Sequence, residues 1–365
     1  MTNPTLRTGH PYQMYDAMQA QPAAINEVLR ANADALDAAA ALFAPLQSLY
    51  LCGIGTSFHA ALVAEYLLRL IAADRPLARA VHSFEFVRYP PPIRPNTGML
   101  IFSHRGTKNY SLQALDRANA LGAPTAVITG KGSGANIHKA RVELITVEQE
   151  ISAAHTVSYT TALALFAALA IRLARRVGQD TAAIEAQLAQ LPSLIQRALQ
   201  TEQVIRQVAR ALAGKTFIAF VGGGPNAATA YEVALKMKET NYTPCEGFEV
   251  EQFLHGPLCL HGAHTAVWVI ASPGPSYERC WDIVRSAKAI GATTIAQAQE
   301  GDSGIAASAD HSVALPAVGE ALSPLVHVVP LQLLSYHLAL VKGANPDSFH
   351  RDDARHESAR QFYTL

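Results

Sequence analysis

The sequence predicts an α/β protein made of two parallel sheets, each covered by helices on both faces. Short apolar runs bounded by glycine or polar residues alternate with longer stretches of helical periodicity. Each half opens with a strand running into a glycine turn, YLCGIGTS (50–57) and FIAFVGGGPN (217–226), and closes on a long apolar helix, which marks an internal duplication. A length of 365 residues is too great for one ordinary domain and comfortable for two.

In chain order, the first 45 residues hold a helical region. The first-half strands are then SLYLCGIG, LARAVHS, GMLIFSH, APTAVITG and VELITV, with helices near Ser57–Ala73, Asn109–Leu121 and Thr156–Arg176. Residues 175–200 are amphipathic and read as a linker that packs. The second half repeats the pattern with TFIAFVGGG, HTAVWVIAS, ATTIAQA and HSVALP, and with helices near Asn226–Thr240, Tyr277–Ile290 and Pro324–Val341. The expected boundaries are 1–45, 46–195, 196–345 and a polar tail, 346–365, whose periodicity is too short to support a helix.

Half of the residues are hydrophobic and 16% are charged, which suits a packed globular chain. Lys plus Arg equals Asp plus Glu at 29 each, so no global field favours nucleic acid or an acidic membrane, and any anion site must be local. The four cysteines show no CxxC spacing, and three lie in apolar or strand-like surroundings, as expected of a reduced, cytoplasmic protein. The N-terminus lacks the basic and apolar segments of a signal peptide. The most apolar run, Tyr159 to Ala174, falls short of the roughly 20 residues that cross a bilayer and reads as a core helix. No membrane partner and no cofactor are expected.

Glycine turns after buried strands aim backbone N–H groups and a helix dipole at one spot, which favours an anion. Three first-half loops qualify: Gly53-Ile54-Gly55-Thr56-Ser57, Ser103-His104-Arg105-Gly106-Thr107-Lys108 and Ala153-Ala154-His155-Thr156. Such glycines can equally serve tight turns alone. Neither GIGTS nor GGGPNAA completes GxGxxG, which weakens a dinucleotide reading. In the second half, Lys236 and Glu239 are three apart on one helix face, and His255 follows in a loop closed by Gly256-Pro257. A carboxylate and an imidazole at one site can pass protons between a carbonyl and its hydroxyl neighbour. A surface ion pair and a backbone-satisfied histidine would give the same letters.

The chain resembles the sugar isomerase (SIS) family, in particular the isomerase portion of the glutamine–fructose-6-phosphate amidotransferases and the related amino-sugar-phosphate deaminases and fructosamine-phosphate deglycases. ALKMKETNYTPCEGFEVEQFLHGPLCL (234–260) follows the family's ALKLKE and HGPLAL segment without a gap. GTSFHAALVAEYLL (55–68) follows its GTSYHA helix, SYTTALA (158–164) its loop-to-helix segment and VPLQLLSYHLALVKG (329–343) its last helix. The resemblance implies two tandem SIS domains, at 46–195 and 196–345, each a flavodoxin-like three-layer αβα sandwich. It implies a sugar phosphate or amino-sugar phosphate as ligand, and isomerase, deaminase or deglycase chemistry. It also implies a homodimer with sites at the subunit interface, where the HGP histidine reaches the neighbouring subunit.

Position by position, the resemblance implies Ser57 and Ser103 as sugar-phosphate contacts, with Gly55, Thr56 and Gly106 in the same loops. Glu239 would be the base moving a proton between C1 and C2, His255 the ring-opening group and Lys236 the lysine beside the base. The departures are marked. Where the family's phosphate loop reads Ser-Gln-Ser-Gly-Glu-Thr, this chain has Ser-His-Arg-Gly-Thr-Lys, so Arg105, Thr107 and Lys108 each add one positive charge. His104 replaces glutamine and His155 a small serine; the two imidazoles can donate hydrogen bonds, fill space or bind metal, and no metal is expected. The family's final catalytic lysine aligns on Ala354, and the adjacent Arg355 can neither form a Schiff base nor shed a proton at neutral pH. The chain starts Met1-Thr2 without a glutaminase domain, so it is not expected to draw ammonia from glutamine by itself. A non-catalytic sugar-phosphate sensor and an enzyme for a more anionic sugar are the alternatives.

Overall fold

A computed structural model describes residues 6–351 and 353–363. The chain divides into two units. One comprises Ala20–Glu150, His155–Pro192 and His350–Leu365, the other Met1–Gln19, Ile151–Ala154 and Ser193–Phe349.

The helices α1 (Gln13–Ala31) and α2 (Ala33–Phe43) precede the first sheet. There follow β1 (Ser48–Gly53), α3 (Thr56–Ala72), β2 (Leu77–His82), α4 (Ser83–Arg88), β3 (Thr97–Ser103), α5 (Asn109–Ala120), β4 (Thr125–Lys131), β5 (Val142–Glu148) and α6 (Val157–Arg176). All five strands are parallel in the order β2-β1-β3-β4-β5. Every residue of β3 is buried, which is why its sequence is a continuous apolar run rather than an alternating one. The chain reverses its direction of winding between β1 and β3, which opens a crevice at their carboxyl ends.

After α7 (Ala182–Leu199), the second unit continues with α8 (Glu202–Leu212), β6 (Phe217–Gly222), α9 (Pro225–Asn241), β7 (Cys245–Glu249), α10 (Val250–Leu254), β8 (Thr265–Ala271), α11 (Tyr277–Ala289), β9 (Thr293–Gln299), α12 (Ser303–Ser308), β10 (His311–Leu315) and α13 (Ser323–Val341). Its five parallel strands run β10-β9-β8-β6-β7, the same winding as the first sheet. The duplication extends to single residues. A Cβ on Gly53 would lie 2.3 Å from the Ser57 carbonyl oxygen, and one on Gly222 would lie 2.3 Å from that of Asn226. Two residues on, Gly55 and Gly224 both turn the chain at positive φ, 56° and 54°, where a side chain is strained.

The short helices α4, α8, α10 and α12 are additions to the sequence expectation, and three further elements differ from it. β7 is a fifth strand at the sheet edge, written in the polar letters CEGFE. The tail forms a short helix, α14 (Ala354–Ala359), capped by Asp353. α6 is 20 residues long, so it and α13 both meet the length and apolarity of a bilayer span; both are mostly buried within the protein, as core helices are. Cys52, Cys245 and Cys280 are buried free thiols, and burial pushes Cys245 and Cys280 up to about 12, so they pack as small apolar groups.

Candidate functional site

Three chain segments meet at the crevice between β1 and β3. A small pocket is lined there by Thr56 and Ser57 after β1, Ser103 and His104 at the end of β3, and His155 and Ser158 at the start of α6. Ser103 is only 4% exposed, and its Oγ has no hydrogen-bond partner among the described residues. A buried hydroxyl without a partner costs free energy, on the order of 1–3 kcal/mol, unless something polar enters the pocket. Two helix N-termini face this crevice uncapped. α3 starts after Gly55 and α5 after Lys108, and neither has a side-chain cap. Their dipoles leave partial positive charge at these two helix starts.

The third expected anion loop is already filled. The Glu150 carboxylate accepts from the backbone N–H of Thr156 at 3.0 Å and of Ser158 at 2.9 Å, and from both side-chain hydroxyls. The α6 N-terminus therefore has its anion from within the chain, and only the first two loops remain open.

His104 and His155 stand edge to face with ring centroids 5.0 Å apart. The backbone N–H of Glu150 donates to His104 Nε2 at 3.3 Å, so that nitrogen carries no proton, and the Nδ1 proton points to Thr146 Oγ1 at 3.4 Å. Burial, opposed in part by Glu150, holds the imidazole below its ordinary pKa. Both ring nitrogens of His104 are thus committed, and of the three roles open to it, filling space matches this geometry. A Cβ on Gly130 would lie 2.5 Å from His104 Nδ1, so the glycine is what admits the ring. No group of three metal-type side chains forms among the described residues. Gly106, at φ 61°, has no room for a Cβ, which would sit 2.8 Å from Ile137, and Arg105 and Lys108 on either side of its turn are half-buried.

In the second unit, α9 carries a buried ionic row. Lys236 Nζ is bonded to the Glu239 carboxylate and lies 3.5 Å from Glu232, with side-chain exposures of 2%, 14% and 1%. Two carboxylates share one ammonium, and Glu239 is the carboxylate nearer the surface. Glu232 is missing from the sequence reading, although it lies four residues before Lys236 on the same face. His255 lies after α10, exposed, 3.4 Å from Glu251, in a turn that Gly256 makes at φ 147°.

The corresponding crevice of this unit, between β6 and β8, is closed from inside. A Cβ on Gly223 would lie 2.2 Å from Ser276, and one on Gly274 would lie 2.8 Å from the Glu320 carboxylate. Partial burial raises the Glu320 pKa.

The SIS domain profile matches residues 42–172 and 211–342, which take in β1–β5 and β6–β10. The chain belongs to the SIS domain family. It is 32% identical over 347 residues to the glutamine–fructose-6-phosphate aminotransferase (isomerizing) of Thermococcus kodakarensis, which covers 93% of this chain and 57% of that protein. The chain spans about half the length of the curated relatives it matches. In structure it superposes on the C-terminal domain of glucosamine-fructose-6-phosphate aminotransferase from Francisella tularensis with a TM-score of 0.86 at 23% identity, covering 93% of this chain and 98% of that one. For glucosamine-6-phosphate deaminase from Thermotoga maritima the TM-score is 0.74 at 20% identity, covering 92% and 97%. Ala354 is an exposed residue opening α14, and Arg355 is paired with Asp353 at 3.2 Å.

Proposed function

We propose that the chain is an enzyme acting on a sugar phosphate or amino-sugar phosphate by aldose–ketose proton transfer. The phosphate binds at Thr56, Ser57 and Ser103, where a buried hydroxyl lacks a partner beside two uncapped helix N-termini. The Glu239 carboxylate takes the proton from C2 of the open-chain aldose, leaving an enediolate; the O2 proton passes to O1, and Glu239 returns its proton to C1 to give the ketose. Lys236 holds that carboxylate in place, and His255 passes the proton that opens the ring. That His255 acts in the site of a partner subunit is part of the same proposal. The exposure of His255, away from any buried partner, supports it.

The observation that carries the reading is the buried Glu232–Lys236–Glu239 row. Ionic groups this deep are costly to bury and give little net stability, so a chemical use is the economical explanation. The protein fits a reduced, cytoplasmic setting through its unpaired, buried thiols.

A sugar-phosphate sensor is the second reading, favoured by Ala354 at the position of the family's tail lysine. The two separate in deuterium oxide with glucose 6-phosphate, fructose 6-phosphate and glucosamine 6-phosphate, followed by NMR. The enzyme reading expects solvent deuterium at C2 of an aldose, or at C1 of the ketose, and expects Glu239→Gln to abolish it. Exchange that persists in the variant removes Glu239 as the base. Binding without exchange in the wild type establishes the sensor.

A further inference from the structure

Two cations, Arg105 and Lys108, follow Ser103 on the loop that leaves the pocket, and the charge of a third acts on both. Arg105 and Lys108 are half-buried, and neither makes a hydrogen bond or ion pair among the described residues. The third is Arg351, an exposed residue of the tail, which belongs to the same unit as the loop. Its charge acts on both of the others. Burial first, then Arg351, lowers the pKa of Arg105; burial first, then Arg105 and Arg351, lowers that of Lys108. Among the described residues, the acid whose charge acts on Arg105 is Glu150, and its carboxylate already accepts from Thr156 and Ser158 at the start of α6. Like charges repel at this spacing, and burial makes the repulsion dearer, so a loop of this kind is stable only with an anion close by.

One phosphate does not account for all of it. The Ser57 and Ser103 hydroxyls and the uncapped ends of α3 and α5 already form a neutral phosphate cradle. A guanidinium pair and an ammonium in addition exceed what a single phosphate dianion needs, and guanidinium forks suit planar carboxylates and phosphates.

We propose that Arg105, Lys108 and Arg351 form a clamp for a second anionic group on the substrate, a carboxylate or a second phosphate, beside the phosphate held at Ser57 and Ser103. This rests on the phosphosugar reading above and adds the substrate class: a doubly anionic sugar. The tail supplies the outer jaw, so the binding of such a sugar draws Arg351 against the loop.

Calorimetric titration of the full chain with fructose 6-phosphate, 6-phosphogluconate and fructose 1,6-bisphosphate tests it. One of the doubly anionic sugars binds about tenfold tighter than fructose 6-phosphate, and raising the salt narrows that ratio. The carboxylate and bisphosphate arms tell which second group is read. Arg351→Ala, an exposed change that leaves the fold intact, and Arg105→Ser each bring the ratio down to roughly twofold. Equal affinity of the wild type for all three sugars overturns the clamp and leaves the phosphosugar reading standing. A preference that survives both substitutions overturns the assignment to these cations. Failure of every sugar to bind overturns the phosphosugar reading itself, and the clamp with it.

Discussion

Glu150 closes the start of α6 by accepting from the backbone N–H of Ser158 at 2.9 Å. The same carboxylate bonds the N–H of Thr156 and both neighbouring hydroxyls, so one side chain satisfies several orphan donors at a helix N-terminus. Replacing it by Gln removes the charge that complements the dipole and keeps part of the hydrogen bonding. Glu150→Gln is expected to lower stability by about 1–2 kcal/mol, read by urea denaturation. It also removes the acid nearest Arg105, so affinity for inorganic phosphate is expected to rise. Unchanged stability would show that the α6 end does not depend on this charge.

His327 sets an acid limit on the fold. Trp268 Nε1 can only donate, and it donates to Gln297 Oε1, so the Gln297 amide must donate to His327 Nδ1 at 3.0 Å and to the His327 carbonyl at 2.8 Å. The imidazole is held neutral, and burial lowers its pKa to about 4 from 6.5. Between those values the unfolded chain binds a proton that the folded one refuses, so this contribution is present above pH 6.5 and is lost as pH falls toward 4. The full span is worth roughly 3 kcal/mol. In His327→Asn, which keeps an acceptor but cannot titrate, the stability lost between neutral pH and the acid end of that window should shrink by about 3 kcal/mol relative to wild type. Equal losses in both proteins would mean that another group sets the acid limit.

The parallel sheets were legible because nine of the ten strands read as apolar runs, and the glycines at 53 and 222 mark the turns that the helices need. β7 was not, because it is an edge strand paired only with β6, and its alternating Glu and apolar residues suit a strand with one wet face. Gly247 within it belongs to packing: a Cβ there would meet the α9 backbone at Ala230, 2.5 Å away. In the site, Ser57, Ser103, Lys236 and Glu239 stood out through turn position and helical spacing. Glu150 and Arg351 did not. Their roles depend on a loop folding back over His104 and on a distant tail coming near Arg105, contacts with no period in the sequence. His104 stood out for its chemistry, yet its two nitrogens face Thr146 and the Glu150 backbone, which no spacing rule anticipates.

The row on α9 sets the strictest demand on a single side chain. Lys236 is 2% exposed between Glu232 and Glu239. Truncating its charge leaves a carboxylate, that of Glu232, with almost no access to water. Breaking a buried pair from one side costs about 3–5 kcal/mol, whereas replacing both partners by apolar or neutral groups of similar volume is often close to neutral. Lys236→Met is therefore expected to destabilise strongly, and Glu232→Gln with Lys236→Met to recover a large part of the loss in chemical denaturation. The double variant still lacks the ammonium beside Glu239, so its proton exchange should remain low after its stability has returned. Recovery of exchange together with stability would show that Lys236 serves the fold alone and takes no part in holding the base.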